Sequence, residues 1–179
     1  MKSGLKPLTR AALLLALAIA VQSLRLGQAV TGPVINAILL IAAVLLGPWG
    51  GAAIGLVTPA SAYLLGQLNP VLAPAVPFIA LGNAALALIF GYGRRLNVYL
   101  SLLAAALVKY LLLAGAVSFI LSLPAPVSVA LRLPQLATAL AGGVVALLVL
   151  EALASAKVIG RDEWPGLSLR APGGGERGR

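Results

Sequence analysis

The sequence predicts an all-α, polytopic membrane protein, folded as a compact bundle of six transmembrane helices. The first reason is composition: 61% of the 179 residues are apolar and 9% are charged, whereas soluble domains carry about 25% charged residues. The second is spacing, because the charges concentrate near the two ends and leave runs long enough for the ~20 residues that cross a bilayer. The third is that clusters of Gly, Pro and Asn divide these runs into six segments.

The first three predicted helices follow from the turn residues between them. The Ala-Ile-Ala triplet at 18–20 resembles a signal-peptide cleavage site, but the apolar run continues toward Leu26, so we expect the first helix to be retained. A loop at 27–33 would place Pro33 at the first position of the second helix. That helix would measure only ~21 Å, so it either extends into the preceding loop or lies shallow in the bilayer. The Gly-Pro pair at 47–48 then turns the chain before the third helix.

The remaining helices follow a Pro-containing connection at 69–74, a basic loop at 93–97 and a Pro-containing loop around 124–126. The six predicted helices are 8–26, 34–47, 49–68, 75–92, 98–122 and 133–156. They form one transmembrane domain, residues 1–160. Residues 161–179 contain too few apolar side chains to pack, so they are predicted to be a disordered basic cytoplasmic tail.

The orientation follows from the positions of Lys and Arg. If both termini are cytoplasmic, most of the 13 basic residues lie on the inner side, including those of both tails and of the 93–97 loop. Arg25 and Arg132 then fall outside, and Lys109 lies within the fifth helix. We therefore expect a multi-pass cell-membrane protein, surrounded by lipid, with its N- and C-termini in the cytoplasm.

Several function classes are excluded by residues that the chain lacks. Without Cys and His there is no thiolate nucleophile, imidazole base or usual transition-metal ligand set. An aspartyl intramembrane enzyme needs paired carboxylates, and the only Asp is Asp162 in the tail. We therefore predict no catalytic residue, metal or cofactor. The basic residues flank apolar segments instead of forming a face with aromatics, which argues against nucleic acid. Glu151 is predicted to pair with Lys157, Arg94 or Arg95 at the inner interface.

Polar residues concentrate in the outer half of the predicted bundle. At 1.5 Å per residue, Asn83 lies ~12 Å below the outer end of the fourth helix, and Lys109 lies at a similar depth in the fifth. Asn36 lies in the outer part of the second helix, and Arg132 and Gln135 lie at the outer edge of the sixth. The inner halves are almost wholly apolar. Because polar groups in hydrocarbon are costly unless they face protein, water or a ligand, the sequence predicts an outward-facing binding pocket closed on its inner side.

Each of these residues has a second interpretation. Asn83 could hydrogen-bond a neighbouring helix, Lys109 could extend its ammonium toward the interface, and Arg132 and Gln135 could simply be solvated. Small residues recur every four positions on two helices, where they form flat ridges for close helix approach. Each ridge could bind a partner or pack within the chain. Packing within the chain is more strongly favoured for the glycine ridge than for the alanine ridge. The ridges are Ala12, Ala16 and Ala20, and Gly47, Gly51 and Gly55.

The order of motifs along the chain resembles the substrate-binding S component of energy-coupling factor (ECF) vitamin transporters. The motifs are the alanine ridge of the first helix and the stretches TGPVIN at 31–36, LGP at 46–48 and PFIALGN at 77–83. The resemblance covers residues 9–156. It implies a prokaryotic membrane subunit that captures a vitamin and associates with a transmembrane scaffold (T) subunit and two ATPase subunits. It also implies that Ala12, Ala16 and Ala20 contact the scaffold, and that the pocket uses the outer parts of the last three helices.

The charges of the outer half restrict the substrate. It contains Lys109, Arg25 and Arg132 but no Asp or Glu, so a cationic substrate would lack a counter-ion. An anionic or neutral substrate is therefore expected. Among vitamins handled by such transporters, pantothenate, biotin, niacin, lipoate and folate fit better than thiamine. Nickel and cobalt are disfavoured because His, Cys and outer carboxylates are missing.

Two other function classes remain open at this point. A channel or secondary transporter needs a polar route through both leaflets or inverted repeats, which the apolar inner halves disfavour unless an oligomer forms the path. A structural membrane scaffold would use the polar residues only to join helices. Capture of a ligand, with transport only when ATPase partners are added, would distinguish the S component from both.

Overall fold

The computed structural model describes residues 5–160, 162–164 and 166. In this part of the chain the protein is helical and contains no strand. In chain order the elements are α1 (Leu5–Ser23), α2 (Gln28–Leu45), α3 (Pro48–Leu64), a 3-10 helix (Pro70–Ala75), α4 (Val76–Gly93), α5 (Val98–Phe119), the short α6 (Ala125–Ala130) and α7 (Leu133–Ser155).

Most of the long helices are suited to crossing a membrane. Within the described residues, five segments are long and apolar enough: α1, α2, α4 with the 3-10 helix, α5, and α7 with α6. The remaining long helix, α3, has 17 residues and measures ~25 Å. The prediction of an all-α, polytopic membrane protein is confirmed. A sixth crossing by α3 and the cytoplasmic position of the termini stay predictions.

The second helix differs from its predicted bounds. It begins at Gln28, directly after Gly27 with its positive φ of 78°, so the predicted 27–33 loop is mostly helical. Pro33 lies inside the helix and not at its first position. Proline has no backbone N–H to donate to the carbonyl of Ala29, four residues earlier, so α2 lacks one intrahelical hydrogen bond there. Of the two alternatives for the short second helix, the structure therefore shows extension into the preceding segment.

The connections are also more structured than predicted. The 69–74 segment mostly forms the 3-10 helix, whose start is capped by the Asn69 side chain accepting from the Val71 backbone N–H at 3.0 Å. The loop around 124–126 contains the short α6. The third and fifth helices end at Leu64 and Phe119, each a few residues before the predicted end. Proline at the start of each short helix supplies the fixed φ that helical turns need.

The central element is α2, which packs against α1, α3, α4 and α7. Its Leu39, Leu40, Ala42 and Ala43 are fully buried. A Cβ atom added at Gly51 would lie 2.8 Å from the Ala43 backbone, and real Cβ atoms do not approach so closely. The glycines of α3 therefore pack within the chain.

The two ends of the bundle differ. The start of α1, the end of α7 and the connections at 46–47 and 94–97 lie at one end, which we term the terminal end. Arg10 near the start of α1 donates to the Leu45 carbonyl at 3.3 Å, which joins the first two helices there. The opposite end, termed the far end, holds the connections at 24–27 and 65–69 and the short α6.

Residues 162–164 form an anchor at the terminal end, contrary to the disorder predicted from residue 161 onward. Trp164 is 2% exposed in the apolar core, and its Nε1 donates to Glu151 at 3.1 Å. Among the described residues Glu151 forms no ion pair with Lys157, Arg94 or Arg95, so the pairing predicted for it is not found. The Glu163 carbonyl accepts from Arg94 at 2.8 Å, and the Glu163 carboxylate pairs with Arg10. The indole of Trp164 supplies apolar surface, which the average composition of residues 161–179 does not reveal. Residues 161, 165 and 167–179 of the predicted tail lie outside the described residues, and the domain boundary stays a prediction.

Glu163 is expected to hold α1 to the anchor in a pH-dependent way. The hydrogen bond from Arg10 holds the pKa of the Glu163 carboxyl below its usual range. A carboxyl whose pKa is lowered by folding stabilises the native state above its unfolded pKa and loses that contribution as pH falls through the folded value. Glu163→Gln should therefore lower the Tm at neutral pH, by a difference that shrinks below about pH 4. Thermal scans in detergent would check this, and a Tm difference independent of pH would contradict it.

Candidate functional site

A cavity of about 730 Å³ opens at the far end of the bundle. Its wall includes the connection between α1 and α2, the segment after α3 and the short α6. The volume suits a small organic ligand, because such pockets measure ~300–1,000 Å³. The polar residues that line it are Gln22, Arg25, Gln28, Thr31, Asn36, Gln67, Asn69, Asn83, Lys109 and Gln135.

The deepest polar group of the cavity is Lys109, near the middle of α5. Its side chain is 3% exposed, and its Nζ donates to Asn36 Oδ1 at 2.5 Å and to Asn83 Oδ1 at 2.7 Å. The two amides come from α2 and α4, so three helices converge on one ammonium group. An ammonium has three N–H donors, and two point to the amides. The third has no acceptor among the described residues.

Two glycines create the space for this cluster. A Cβ atom at Gly82 would lie 3.3 Å from Lys109 Cγ, so glycine leaves room for the lysine stem beside α4. A Cβ atom at Gly142 would lie 2.7 Å from Asn36 Cβ, so glycine lets α7 approach α2 closely. Gly142 thus removes side-chain volume at the level of the lysine cluster.

The five predicted substrate-binding residues do not all come together. Asn36, Asn83, Lys109 and Gln135 line the one cavity, and Gln135 is 6% exposed in its wall. Arg132 lies outside the described lining: it is exposed at the start of α7 and donates to Ser118 Oγ at 3.3 Å. The solvated interpretation of Arg132 therefore fits the structure better than a place in the pocket.

The cavity is positively charged in the described part of the chain. Lys109 lies at its floor and Arg25 near its mouth, and no described carboxylate lines it. The described acidic residues Glu151, Asp162 and Glu163 all lie toward the terminal end. The charge distribution favours anionic ligands over cationic ones.

Comparison with protein families decides the identity of the chain. A family model described as "ECF transporter, substrate-specific component" matches residues 6–154, which include nearly all of the helical bundle. The chain belongs to this family. Searches of curated proteins and of solved structures gave no match. The resemblance to S components is thereby confirmed.

As a member of this family, the protein is a membrane-embedded, substrate-specific subunit of a transporter. The family implies a transmembrane T subunit and ATPase subunits as partners. In this S component Ala12, Ala16 and Ala20 are exposed along α1, whereas Ala18 on the opposite face is fully buried. The alanine ridge therefore lies open, whereas Gly51 and Gly55 of the glycine ridge pack against Ala43 and Asn83 within the chain.

Sequence reasoning missed part of the S-component cavity. Gln28, Thr31 and Gly32 line it from the first turns of α2, which were predicted to be a loop. The four-residue spacing of Gln28, Gly32 and Asn36 places all three on one helix face, and this spacing was the signal that could have revealed them.

Arg25 is held at the cavity mouth of the S component by an unusual backbone. Its φ is +50°, in the left-handed region that residues with a Cβ rarely adopt. Its guanidinium donates to the Gly66 carbonyl at 3.1 Å. This bond joins the connection after α1 to the connection after α3 across the mouth.

Gly142→Ala should disrupt the lysine cluster. The added methyl would overlap Asn36 and the Ala37 backbone N, at 2.7 and 3.1 Å, and push α7 away from α2. We expect a loss of substrate affinity and a destabilisation of about 1–3 kcal/mol, typical of overpacking. Gly115→Ala is the matched control, because nothing lies within 4 Å of its added Cβ. Substrate affinity and Tm would be compared in detergent. Equal values for both variants would contradict the close approach of α7 to α2 at Gly142.

Proposed function

We propose that this S component captures a small, vitamin-like, anionic or neutral molecule in an outward-facing cavity, as part of an ATP-dependent importer in a prokaryotic plasma membrane. The observation that carries the proposal is the ammonium of Lys109, fixed by two amide oxygens at the cavity floor. An ionisable group at such depth in a membrane protein is costly to retain without a function.

The cluster is suited to binding an anion because it lacks a counter-charge. Asn36 and Asn83 orient the ammonium by neutral oxygens, and no carboxylate of the described residues pairs with it. A substrate carboxylate would supply both the opposite charge and the third hydrogen bond of Lys109. Hydrogen bonds between charged groups are about twice as strong as neutral ones.

We propose that the chain crosses the membrane six times and that its cavity opens on the outer side. Arg10, Arg94 and Arg95 lie at the terminal end, and basic residues favour the cytoplasmic side. Between Lys109 and that end the buried side chains are mainly apolar, including Leu39, Leu86, Phe90 and Leu150. This apolar layer supports a pocket closed toward the cytoplasm and argues against a channel.

The partners proposed for the chain are a T subunit and two ATPase subunits. The sequence contains no Gly-Lys-Ser/Thr phosphate-binding loop that could use ATP directly. The exposed Ala12, Ala16 and Ala20 offer a flat surface for close packing of another transmembrane helix. We propose that the T subunit binds there.

Single-cysteine labelling tests both the orientation and the capture. The chain has no native Cys, so Asn69→Cys at the cavity mouth and Leu96→Cys at the terminal end each carry one thiol. A membrane-impermeant maleimide added to intact cells should label Asn69→Cys and not Leu96→Cys, which is 93% exposed at the terminal end. One of the five carboxylate vitamins considered above should slow the labelling of Asn69→Cys. Labelling of Leu96→Cys alone would contradict the proposed orientation.

A further inference from the structure

The cavity wall contains no aromatic side chain. The chain has two Trp, four Tyr and three Phe, all of them within the described residues, and none lines the cavity. Some are exposed at the terminal end, such as Trp49 and Tyr92, and others are buried in the core, such as Phe90 and Trp164. Pockets for small molecules usually combine aliphatic with aromatic lining. The lack of aromatic side chains in this wall therefore restricts the kind of ligand that it binds well.

The apolar part of the wall is aliphatic. Ile35, Leu72, Ile79, Val127 and Leu131 supply most of it. Aliphatic side chains pack well against saturated carbon chains. A flat aromatic ring gains additional stabilisation from offset-stacked or edge-to-face contact with another ring, and this wall cannot provide such a contact.

The uncharged polar part of the wall consists largely of carboxamides, from Gln22, Gln28, Gln67 and Gln135. Each carboxamide can donate and accept hydrogen bonds. The Oε1 atoms of Gln22 and Gln67 are buried and accept no hydrogen bond from a described residue. These two atoms have almost no accessible surface, so a ligand would hydrogen-bond with other atoms of the carboxamides that line the cavity.

The orientation of the Gln67 amide is fixed by its neighbours. Ser23 Oγ donates its proton to the Ile19 carbonyl at 2.9 Å. Ser23 Oγ can therefore only accept from Gln67, whose Nε2 lies 2.6 Å away. The amide nitrogen must face α1, and Oε1 stays buried without a donor among the described residues.

We infer that the substrate is an aliphatic carboxylate bearing hydroxyl, amide or ureido groups, and not an aromatic or heteroaromatic acid. The inference rests on the proposed function, because it assigns the carboxylate to Lys109. The carbon chain then packs on the aliphatic wall, and the hydroxyl, amide or ureido groups hydrogen-bond with the carboxamides that line the cavity.

Equilibrium binding to the purified full-length chain tests this assignment with five probes. Pantothenate and biotin belong to the inferred class, lipoate is aliphatic but lacks the hydroxyl, amide and ureido groups, and nicotinate and folate are aromatic. Pantothenate or biotin should bind at least about tenfold more tightly than each of the other three. Tightest binding of nicotinate or folate would overturn the inference and leave carboxylate capture intact. Tightest binding of lipoate would overturn the assigned donor groups, and binding of none of the five would overturn the proposed capture itself.

Gln22→Leu provides a second measurement that keeps the cavity volume similar. It removes one unpaired buried acceptor, so the Tm should stay equal or rise. It also removes one carboxamide from the cavity wall, so the affinity for the preferred probe should fall by about fivefold or more. A lower affinity at an unchanged or higher Tm separates loss of a substrate contact from loss of folding. Unchanged affinity for the preferred probe would overturn the role given to this carboxamide.

Discussion

Replacing Lys109 with alanine should weaken substrate binding by roughly 30-fold or more, equivalent to about 2–5 kcal/mol, and reduce uptake at unchanged membrane abundance. The ammonium is the only positive charge at the cavity floor among the described residues, and it is already oriented by Asn36 and Asn83. Its loss removes the counter-charge of a substrate carboxylate in a site of low dielectric, where such interactions are strong.

Two further variants make the Lys109 prediction specific. Lys109→Met keeps the stem that packs beside Gly82 and removes only the charge, so it should lose affinity as Lys109→Ala does. Lys6→Ala is the matched control, because Lys6 is exposed at the start of α1, away from the cavity. Binding by calorimetry and uptake in cells would be measured together. Full uptake by Lys109→Ala would contradict the assignment of the cavity as the substrate site.

Ala16→Trp should abolish transport while substrate affinity stays at the wild-type level. Ala16 lies in the middle of the exposed ridge on α1, outside the cavity. A ridge of small residues allows two helix backbones to approach closely, and an indole at its centre would hold a partner helix away. We expect the variant to lose co-purification with the T subunit and to lose transport by about tenfold or more.

Ala141→Trp is the control for the ridge. Ala141 is an exposed alanine near the middle of α7, so the same substitution adds the same bulk elsewhere on the lipid-facing surface. It should retain both co-purification and transport. Equal loss of transport in the two variants would contradict a specific role for the ridge of α1.

The helical bundle and the depth of its polar layer could be predicted because few backbone conformations can cross a bilayer. The scarcity of charged residues and the spacing of the Gly, Pro and Asn clusters indicate the helices. Counting 1.5 Å per residue along these helices places Asn83 and Lys109 at the same depth. Their direct contact at 2.7 Å follows the same count. The interhelical interpretation of Asn83 and its place in the cavity wall turn out to be compatible, since one amide does both.

Other features could not be predicted because they depend on tertiary packing. Gly32 and Pro33 indicate a turn locally, yet α2 extends through them where Gly32 approaches Thr138 on α7. Trp164 stands alone in a polar segment, and only the assembled bundle offers the site that buries it. Arg132 has the charge and the outer position expected of a binding residue. Its position in the sequence does not show that its guanidinium points toward Ser118 and not into the cavity.

Reconstitution into liposomes tests the central claim most directly. The purified chain, placed alone in the membrane, should bind the preferred carboxylate without accumulating it. Addition of the T subunit, both ATPase subunits and ATP should start accumulation, and Lys109→Ala in the same complex should show little. Accumulation by the chain alone, or equal accumulation with Lys109→Ala, would contradict a capture subunit that binds its substrate through the cavity lysine.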